Sequence, residues 1–138
     1  INDNFDLKTS HVLPALMRKF HEAKINNQES VEIWGSGNPK REFLFVDDLA
    51  KACIFAMNNK EAKGLINVGT GEDLSIKSLA QLIQKTVGFK GNLTFDSTKP
   101  DGTMKKCMDV SKINNLGWKA EVSLEEGIAR VYEWYLSK

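Results

Sequence analysis

Apolar residues recur at helical spacing along most of this chain, and they predict about five helices. The first apolar stripe begins at Val12 and continues to Phe20, and Thr9 or Ser10 stands before it as an N-cap residue type. The later stripes follow serine or aspartate, and two of them precede a glycine, which are ordinary start and stop signals. They predict helices over residues 47–57, 75–87, 111–116 and 123–136.

Short apolar runs between these helices predict a few strands. Residues 30–34 alternate in polarity as a half-buried strand does, and residues 42–46 and 93–95 form further β runs. Residues 65–68 show little polar alternation, which predicts a strand buried on both faces. No internal repeat or linker divides the chain, so we expect one α/β unit. A sheet of so few strands has exposed edges, and we therefore expect this unit to be part of a longer protein.

Composition and charge argue against several classes of protein. Hydrophobic residues make up 41% and charged residues 27% of the 138 residues, the balance of a globular domain. A formal net charge of +1 argues against a nucleic-acid binder, and no apolar run approaches the roughly 20 residues that cross a bilayer. Two histidines and the separated Cys53 and Cys107 offer no metal-ligand cluster. We expect reduced thiols in a cytoplasmic protein that binds neither nucleic acid nor membrane.

The segment over residues 34–49 carries the most chemistry, and it reads WGSGNPKREFLFVDDL. A turn of small residues lets the backbone approach a ligand closely, and the planar fork of Arg41 suits a pair of phosphate oxygens. The ring of Trp34 could cover an apolar or π face beside them. Together these features predict a surface for a nucleotide-sugar diphosphate. Asp47 and Asp48 are adjacent on a helix and do not share a face, so we expect capping and dipole matching from them.

A dinucleotide-binding loop is not evident in the chain. Residues 35–37 and 69–71 are glycine turns, but each lacks the third glycine and the strand-to-helix setting of the fingerprint. A Tyr-x-x-x-Lys pair is also missing, since Leu136 stands four residues after Tyr132. The chain therefore contains candidate ligand contacts but no candidate site for a coenzyme pyrophosphate.

Five segments carry a resemblance to a known family. They are SHVLPAL, WGSGNPKREFLFVDDLA, INVGTGEDLSI, FDSTKPDGTMKK and LGW, in this order along the chain. Together they resemble the GDP-L-fucose synthases, which are extended short-chain dehydrogenases. REFLFVDDLA is shared across the extended short-chain dehydrogenases, whereas SHVLPAL, the WGSG turn and KPDGT are more specific. The resemblance implies that residues 1–138 form the carboxyl-terminal substrate-binding domain of a Rossmann-type α/β fold, without the amino-terminal NADP-binding half.

The resemblance also assigns roles to six residues. It implies that His11 is the active-site histidine, a general acid in epimerisation that lies beside the nicotinamide of the coenzyme. The cysteine opposite it belongs to the absent half and is neither Cys53 nor Cys107. On the residues alone, His11 could instead cap its helix, Trp34 could be a core residue and Lys19 could be solvated. Because Lys19 lies two turns beyond His11, we expect both to face one cleft. The implied substrate-binding residues are Lys19, Trp34, Arg41, Asp101 and Lys106.

The function implied by the resemblance is that of a longer enzyme. Such an enzyme converts GDP-4-dehydro-6-deoxy-D-mannose to GDP-L-fucose by 3,5-epimerisation and NADPH-dependent reduction at C4, commonly as a homodimer. We expect the 138 residues alone to be inactive, because the hydride comes from the coenzyme. Two alternatives stay open: another NAD(P)-dependent nucleotide-sugar 4-epimerase or 4,6-dehydratase, and a non-catalytic nucleotide-sugar binding module.

Overall fold

The computed structural model describes residues 2–138, and these residues form five helices and five short strands. This confirms the predicted α/β class with a few short strands. The helices are α1 (Val12–Ile25), α2 (Val46–Asn58), α3 (Ile76–Val87), α4 (Ser111–Asn115) and α5 (Leu124–Leu136). The strands are β1 (Ser30–Trp34), β2 (Lys40–Arg41), β3 (Leu74–Ser75), β4 (Asn92–Asp96) and β5 (Lys105–Lys106).

The strands form two small sheets. In the first, β1 pairs in parallel with β4, and Trp34 lies opposite Asp96 at the carboxyl end of the pair. In the second, β2 lies between β3 and β5, antiparallel to the former and parallel to the latter. The turn after β1 and the loop after β4 therefore leave the same edge of the parallel pair, which is where α/β proteins commonly bind ligands.

The main core lies where α1, α3 and α5 pack around the parallel pair. α3 contacts both α1 and α5, and the inward-facing Val31 and Ile33 of β1 complete the interior. The apolar stripes at helical spacing thus face one another, as amphipathic helices do. A smaller second cluster joins α2 to α4 and contains Ala52, Ile113 and Trp118. The largest fully buried side chains of the main core are Phe20, Met17, Leu79, Ile83 and Ile128.

Local capping signals predict two of the helix boundaries correctly. The hydroxyl of Ser75 accepts the N–H of Ser78 at 3.0 Å, and Gly88 ends α3 with a φ of 77°. The hydroxyl of Ser123 similarly accepts the N–H of Glu126 at 3.2 Å at the start of α5. Each cap satisfies an N–H group that would otherwise lack a partner in the first turn.

The predicted cap of α1 is wrong. The N-cap position is His11, whose side chain makes no capping hydrogen bond. Thr9 instead donates its hydroxyl to the carboxylate of Asp6 at 3.0 Å, and the N–H of Ser10 donates to the carbonyl of Asp6 at 2.9 Å. A local turn centred on Asp6 therefore takes the polar groups that would have capped the helix.

Two predicted strands are absent from the described residues. Residues 42–45 are unpaired, and α2 already begins at Val46, because Phe43 packs against the main core while Leu44 packs against the smaller cluster. Residues 65–68 also form no strand: Ile66 and Val68 pack against the smaller cluster, whereas 87% of Leu65 is exposed. The burial on both faces that the apolar run predicted is not realised here.

Asp47 and Asp48 both lie in the first turn of α2, as dipole matching predicts, but Asp48 does not cap the helix. This corrects the capping role predicted for Asp48. Its carboxylate is fully buried and accepts the N–H groups of Glu121 and Val122, each at 2.8 Å. Burial alone would raise the pKa of this carboxyl, but these two N–H groups and the nearby Lys51 ammonium outweigh burial and lower the pKa. Asp48 thereby fastens α2 to the segment that leads into α5.

Replacement of Asp48 by asparagine tests this connection. We expect Asp48→Asn to lower the free energy of unfolding at pH 7 by about 2 kcal/mol, because hydrogen bonds to a charged acceptor weaken or break. The exposed neighbour Asp47 provides the control, and Asp47→Asn should cost less than about 1 kcal/mol. Urea denaturation measures both values, and equal losses in the two variants would contradict the assigned contact.

The same pair of proteins tests the lowered pKa of Asp48. A carboxyl whose pKa is lower in the folded state than in the unfolded state stabilises the folded protein fully above its unfolded pKa, about 3.9. This stabilisation is lost as the pH falls through the folded-state pKa. The difference in unfolding free energy between wild type and Asp48→Asn should therefore stay constant above about pH 5 and shrink below about pH 4.

Candidate functional site

A cavity of about 650 Å³ opens between the start of α1, the strands β2 and β5, and the start of α5. Three of the six predicted site residues line it: His11, Arg41 and Lys106. Much of the remaining wall is apolar and includes Phe43, Phe45, Leu124, Ile128 and Val131. A concave, largely apolar space with a few charged groups is the usual form of a small-molecule site.

Arg41 and Lys106 are neighbours across the strand pair. They lie opposite each other in the parallel register of β2 and β5. Arg41 donates through Nη1 to the carbonyl oxygens of Lys40 and Thr103, both at 2.7 Å, which fixes the guanidinium. Within residues 2–138, no carboxylate forms an ion pair with Arg41 or Lys106. The cavity wall thus carries two cations that form no ion pair within the described residues, although Asp3 and Glu42 also line the cavity.

His11 lies at the mouth of the same cavity. It is exposed at the N-cap position of α1, and its imidazole makes no capping bond. Helix capping was the alternative that the residues alone left open, and the structure does not support it. An exposed imidazole beside a cavity can donate or accept a hydrogen bond to a ligand.

Trp34 belongs to a second group at the carboxyl end of β1. It is not a core residue, since 59% of it is exposed. The ammonium groups of Lys19 and Lys99 lie 5.2 and 5.6 Å from its ring centroid, within the range of cation–π attraction. The ring therefore presents its surface to solvent between two cations.

Lys19 lies beside this tryptophan and does not line the cavity of His11, so the expectation that both face one cleft is wrong. Eight helical residues turn a side chain by about 80° beyond two full turns, which separates the two directions. The Nζ of Lys19 donates to the carbonyl of Glu32 at 3.0 Å, and burial lowers the pKa of this amine.

Asp101 makes its hydrogen bonds to the glycine turn. Its Oδ1 accepts the N–H of Ser36 at 2.6 Å, and its Oδ2 accepts the Ser36 hydroxyl at 2.7 Å. The hydroxyl and the N–H of Ser36 together lower the pKa of Asp101. Gly35 has a φ of 81°, and a Cβ there would collide with the carboxylate of Asp101. Asp101 therefore holds the turn beside Trp34, and its predicted contact with substrate stays a prediction.

Glu42 is a site residue that the sequence did not reveal. Its Oε1 accepts the N–H groups of Thr70 and Gly71 at 2.6 and 2.7 Å, and its Oε2 accepts the N–H of Met108 at 2.7 Å. A Cβ on Gly69 would collide with the same carboxylate. The available signal was an acid next to Arg41 together with a distant glycine turn, whose successive N–H groups attract an anion.

These contacts decide whether the glycine turns fit a dinucleotide coenzyme. The pyrophosphate of such a coenzyme needs free backbone N–H groups at a helix start. Glu42 already takes the N–H groups of Thr70 and Gly71, and Asp101 takes that of Ser36. Neither turn fits the coenzyme pyrophosphate.

Other site classes find little support in the part of the chain that the structure describes. No three or more of its histidine, cysteine and acidic side chains gather as metal ligands. None of its helices combines the length and the hydrophobicity of a membrane span. Both cysteines are free, and burial, followed by the charges of Glu42 and Asp73, raises the pKa of the Cys107 thiol.

Replacement of Glu42 tests its role in the wall of the cavity. Glu42→Gln should lower the free energy of unfolding by about 2 kcal/mol, because an amide NH₂ would face the N–H of Met108 in place of an acceptor. Glu125→Gln removes the same charge from an exposed position and should leave stability within about 0.5 kcal/mol. Urea denaturation compares the variants, and an unchanged Glu42→Gln protein would contradict the assignment.

Comparisons with known proteins identify relatives of this chain. Residues 2–69 match the NAD dependent epimerase/dehydratase family. The chain is 53% identical to GDP-L-fucose synthase 1 of Arabidopsis thaliana and 50% identical to GDP-L-fucose synthase of Escherichia coli, in each case over 98% of its length. It spans 42% and 45% of the length of these relatives.

A solved structure gives the same result at the level of the fold. A GDP-L-fucose synthetase from Naegleria fowleri bound to NADP superposes with a TM-score of 0.90 at 33% identity, over 98% of this chain and 43% of that one. The chain is thus homologous over nearly its whole length to GDP-L-fucose synthases, and it corresponds to the carboxyl-terminal part of an extended short-chain dehydrogenase fold.

Proposed function

We propose that this chain forms the substrate-binding part of an NADPH-dependent enzyme that converts GDP-4-dehydro-6-deoxy-D-mannose to GDP-L-fucose. The observation that carries the proposal is the gathering of His11, Arg41 and Lys106 around one cavity. The identity of 50% or more to two GDP-L-fucose synthases supports the choice of substrate.

The two cations of the cavity suit the diphosphate of such a substrate. A guanidinium binds phosphate oxygens in a bidentate manner, and an ammonium acts as a point charge beside it. Arg41 and Lys106 lie on neighbouring strands, so one ligand can contact both. The apolar wall lowers the local dielectric and strengthens these charge contacts.

His11 is proposed to move protons at the sugar. The ketone at C4 acidifies the protons at C3 and C5, so each centre inverts when a base outside this chain, the cysteine that the resemblance implies, takes a proton from one face and an acid supplies a proton to the other. A general acid must reach the carbon that is reprotonated, and His11 lines the cavity that would hold the sugar.

Trp34 and its neighbours are proposed to contact another part of the substrate. The exposed ring can cover a base or a sugar face by stacking, and Lys19 beside it adds positive charge. Asp101 contributes by fixing the turn that carries the ring, through both of its hydrogen bonds to Ser36.

The coenzyme is proposed to be held largely by residues outside this chain, since neither glycine turn fits its pyrophosphate. When bound, NADPH supplies the hydride that reduces C4. Of the chain's own residues, His11 is the one we propose to lie beside the nicotinamide. We also propose that the whole enzyme is a cytoplasmic homodimer.

Ligand binding to the 138-residue chain tests the site and the choice of nucleotide. Calorimetry should show GDP binding more tightly than UDP or dTDP, and preference for either of the latter would favour a UDP- or dTDP-sugar enzyme. Arg41→Gln and Lys106→Gln should each raise the dissociation constant of GDP by roughly tenfold, because each removes a charge-assisted contact. Lys85→Gln, which removes an exposed lysine of α3, is the matched control and should have no effect.

Catalysis is expected only from the whole enzyme. We expect the 138 residues alone to oxidise no NADPH in the presence of the keto sugar, since the chain offers no free pyrophosphate-binding turn. In a protein of the relatives' full length, His11→Gln should abolish epimerisation while leaving GDP binding unchanged. Absorbance at the NADPH band measures turnover, and clear turnover by the short chain would contradict this proposal.

A further inference from the structure

All four residues of the paired strands β2 and β5, which border the cavity, are positively charged. Lys40 lies opposite Lys105, and Arg41 lies opposite Lys106, so four positive side chains occupy two adjacent pairs of positions. Like charges directly opposite each other destabilise a sheet. These strands are also shorter than is usual, so few backbone hydrogen bonds offset the repulsion.

The two faces of this strand pair differ in how the charges are compensated. Successive residues of a strand point to opposite faces, and Arg41 and Lys106 line the cavity whereas Lys40 and Lys105 do not. The latter two meet Asp73: its Oδ1 lies 3.8 Å from Nζ of Lys40, and its Oδ2 lies 3.2 Å from Nζ of Lys105. On one face a carboxylate is therefore shared by both lysines, whereas on the cavity face no carboxylate of residues 2–138 lies within ion-pair distance of Arg41 or Lys106.

Asp73 is placed to act on both strands at once. It directly precedes β3, which lies on the opposite side of β2 from β5, so its ion pair with Lys105 spans the central strand. Only 10% of its side chain is exposed, against 55% for Lys40 and 67% for Lys105. A largely shielded carboxylate thus contacts two exposed side chains on the face remote from the cavity.

We propose that Asp73 is a positioning residue of the anion site. It offsets the repulsion between Lys40 and Lys105 and keeps β2 beside β5, so that Arg41 and Lys106 stay adjacent to receive the two phosphoryl groups of a diphosphate. This inference rests on the proposed function, since it deepens the assignment of the diphosphate to Arg41 and Lys106. Asp73 itself does not touch the ligand.

The direction in which ligand affinity changes when Asp73 loses its charge distinguishes positioning from long-range electrostatics. Removing the charge of Asp73 makes the protein more positive, which by long-range attraction alone would strengthen the binding of an anion. If Asp73 instead keeps Arg41 and Lys106 adjacent, the same change weakens binding. Glu72 is the matched control, because it is the exposed neighbour and forms no ion pair with described residues.

Calorimetry with GDP and with inorganic pyrophosphate on the 138-residue chain measures the direction of this change in affinity. We expect Asp73→Asn to raise both dissociation constants by roughly tenfold, the size of a coupling between neighbouring residues. Glu72→Gln should leave them within about twofold or tighten them slightly. Equal or tighter binding by Asp73→Asn, as in the control, would overturn the inference.

A double variant tests whether Asp73 acts through the lysines. Lys105→Met removes one member of the repelling pair, so adding it to Asp73→Asn should recover binding to within about twofold of the Lys105→Met protein. Asp73→Glu keeps the charge and should bind nearly as wild type does. A double variant as weak as Asp73→Asn would show that the repulsion between the lysines is not the cause.

A measurement without ligand separates this inference from the proposed function. The N–H of Lys40 donates to the carbonyl of Met104 at 2.8 Å, so its hydrogen exchange reports how firmly β2 is held at this position. Exchange should accelerate in Asp73→Asn and not in Glu72→Gln. A wild-type chain that binds neither probe would overturn the proposed function, whereas unchanged exchange in Asp73→Asn would overturn the positioning role of Asp73.

Discussion

The cavity depends on the carboxylate of Glu42, because this group joins three segments that are distant in the chain. Its oxygens accept the N–H groups of Thr70, Gly71 and Met108, which hold a glycine turn and the exit of β5 against β2. Arg41 directly precedes Glu42 and lines the cavity. Two consecutive residues thus supply a structural anchor and a candidate ligand contact. A displaced anchor would move Arg41 directly and would move β5 through Met108.

The same anchor determines how the chain can bind an anion. A turn of successive N–H groups is an anion site in many proteins, but here internal carboxylates fill both glycine turns. Glu42 occupies the turn at Thr70 and Gly71, and Asp101 occupies the turn at Ser36. The positive side chains of the cavity, in contrast, have no carboxylate of residues 2–138 within ion-pair distance. The proposed diphosphate would therefore contact side chains and not backbone N–H groups.

The features that the sequence predicted correctly are those set by residues a few positions apart. The caps of α3 and α5 and the alternation of β1 depend only on their own segments. The errors concern contacts across the chain: Phe43 and Leu44 enter different apolar clusters, and the partners of Asp48 lie 73 and 74 residues away. The same distinction between local and distant contacts applies to the candidate site residues. Residue type and resemblance identified the cavity cations, while Glu42 and Asp73 needed the tertiary structure, because their partners come from other segments.

A short loop connects the two groups of candidate ligand contacts. Residues 97–103 leave β4 at the edge where β1 ends in Trp34. Within this loop Asp101 binds Ser36 of the glycine turn, and the carbonyl of Thr103, two residues later, accepts a hydrogen bond from Arg41. The turn beside the aromatic ring and the guanidinium are therefore both hydrogen-bonded to one segment. A nucleotide sugar presents a base, a diphosphate and a sugar in a single molecule, and a site that binds it must fix separate contacts at a constant spacing. Under the proposed function this loop would supply such a spacing, because its hydrogen bonds join the turn beside the aromatic group to the cation of the cavity.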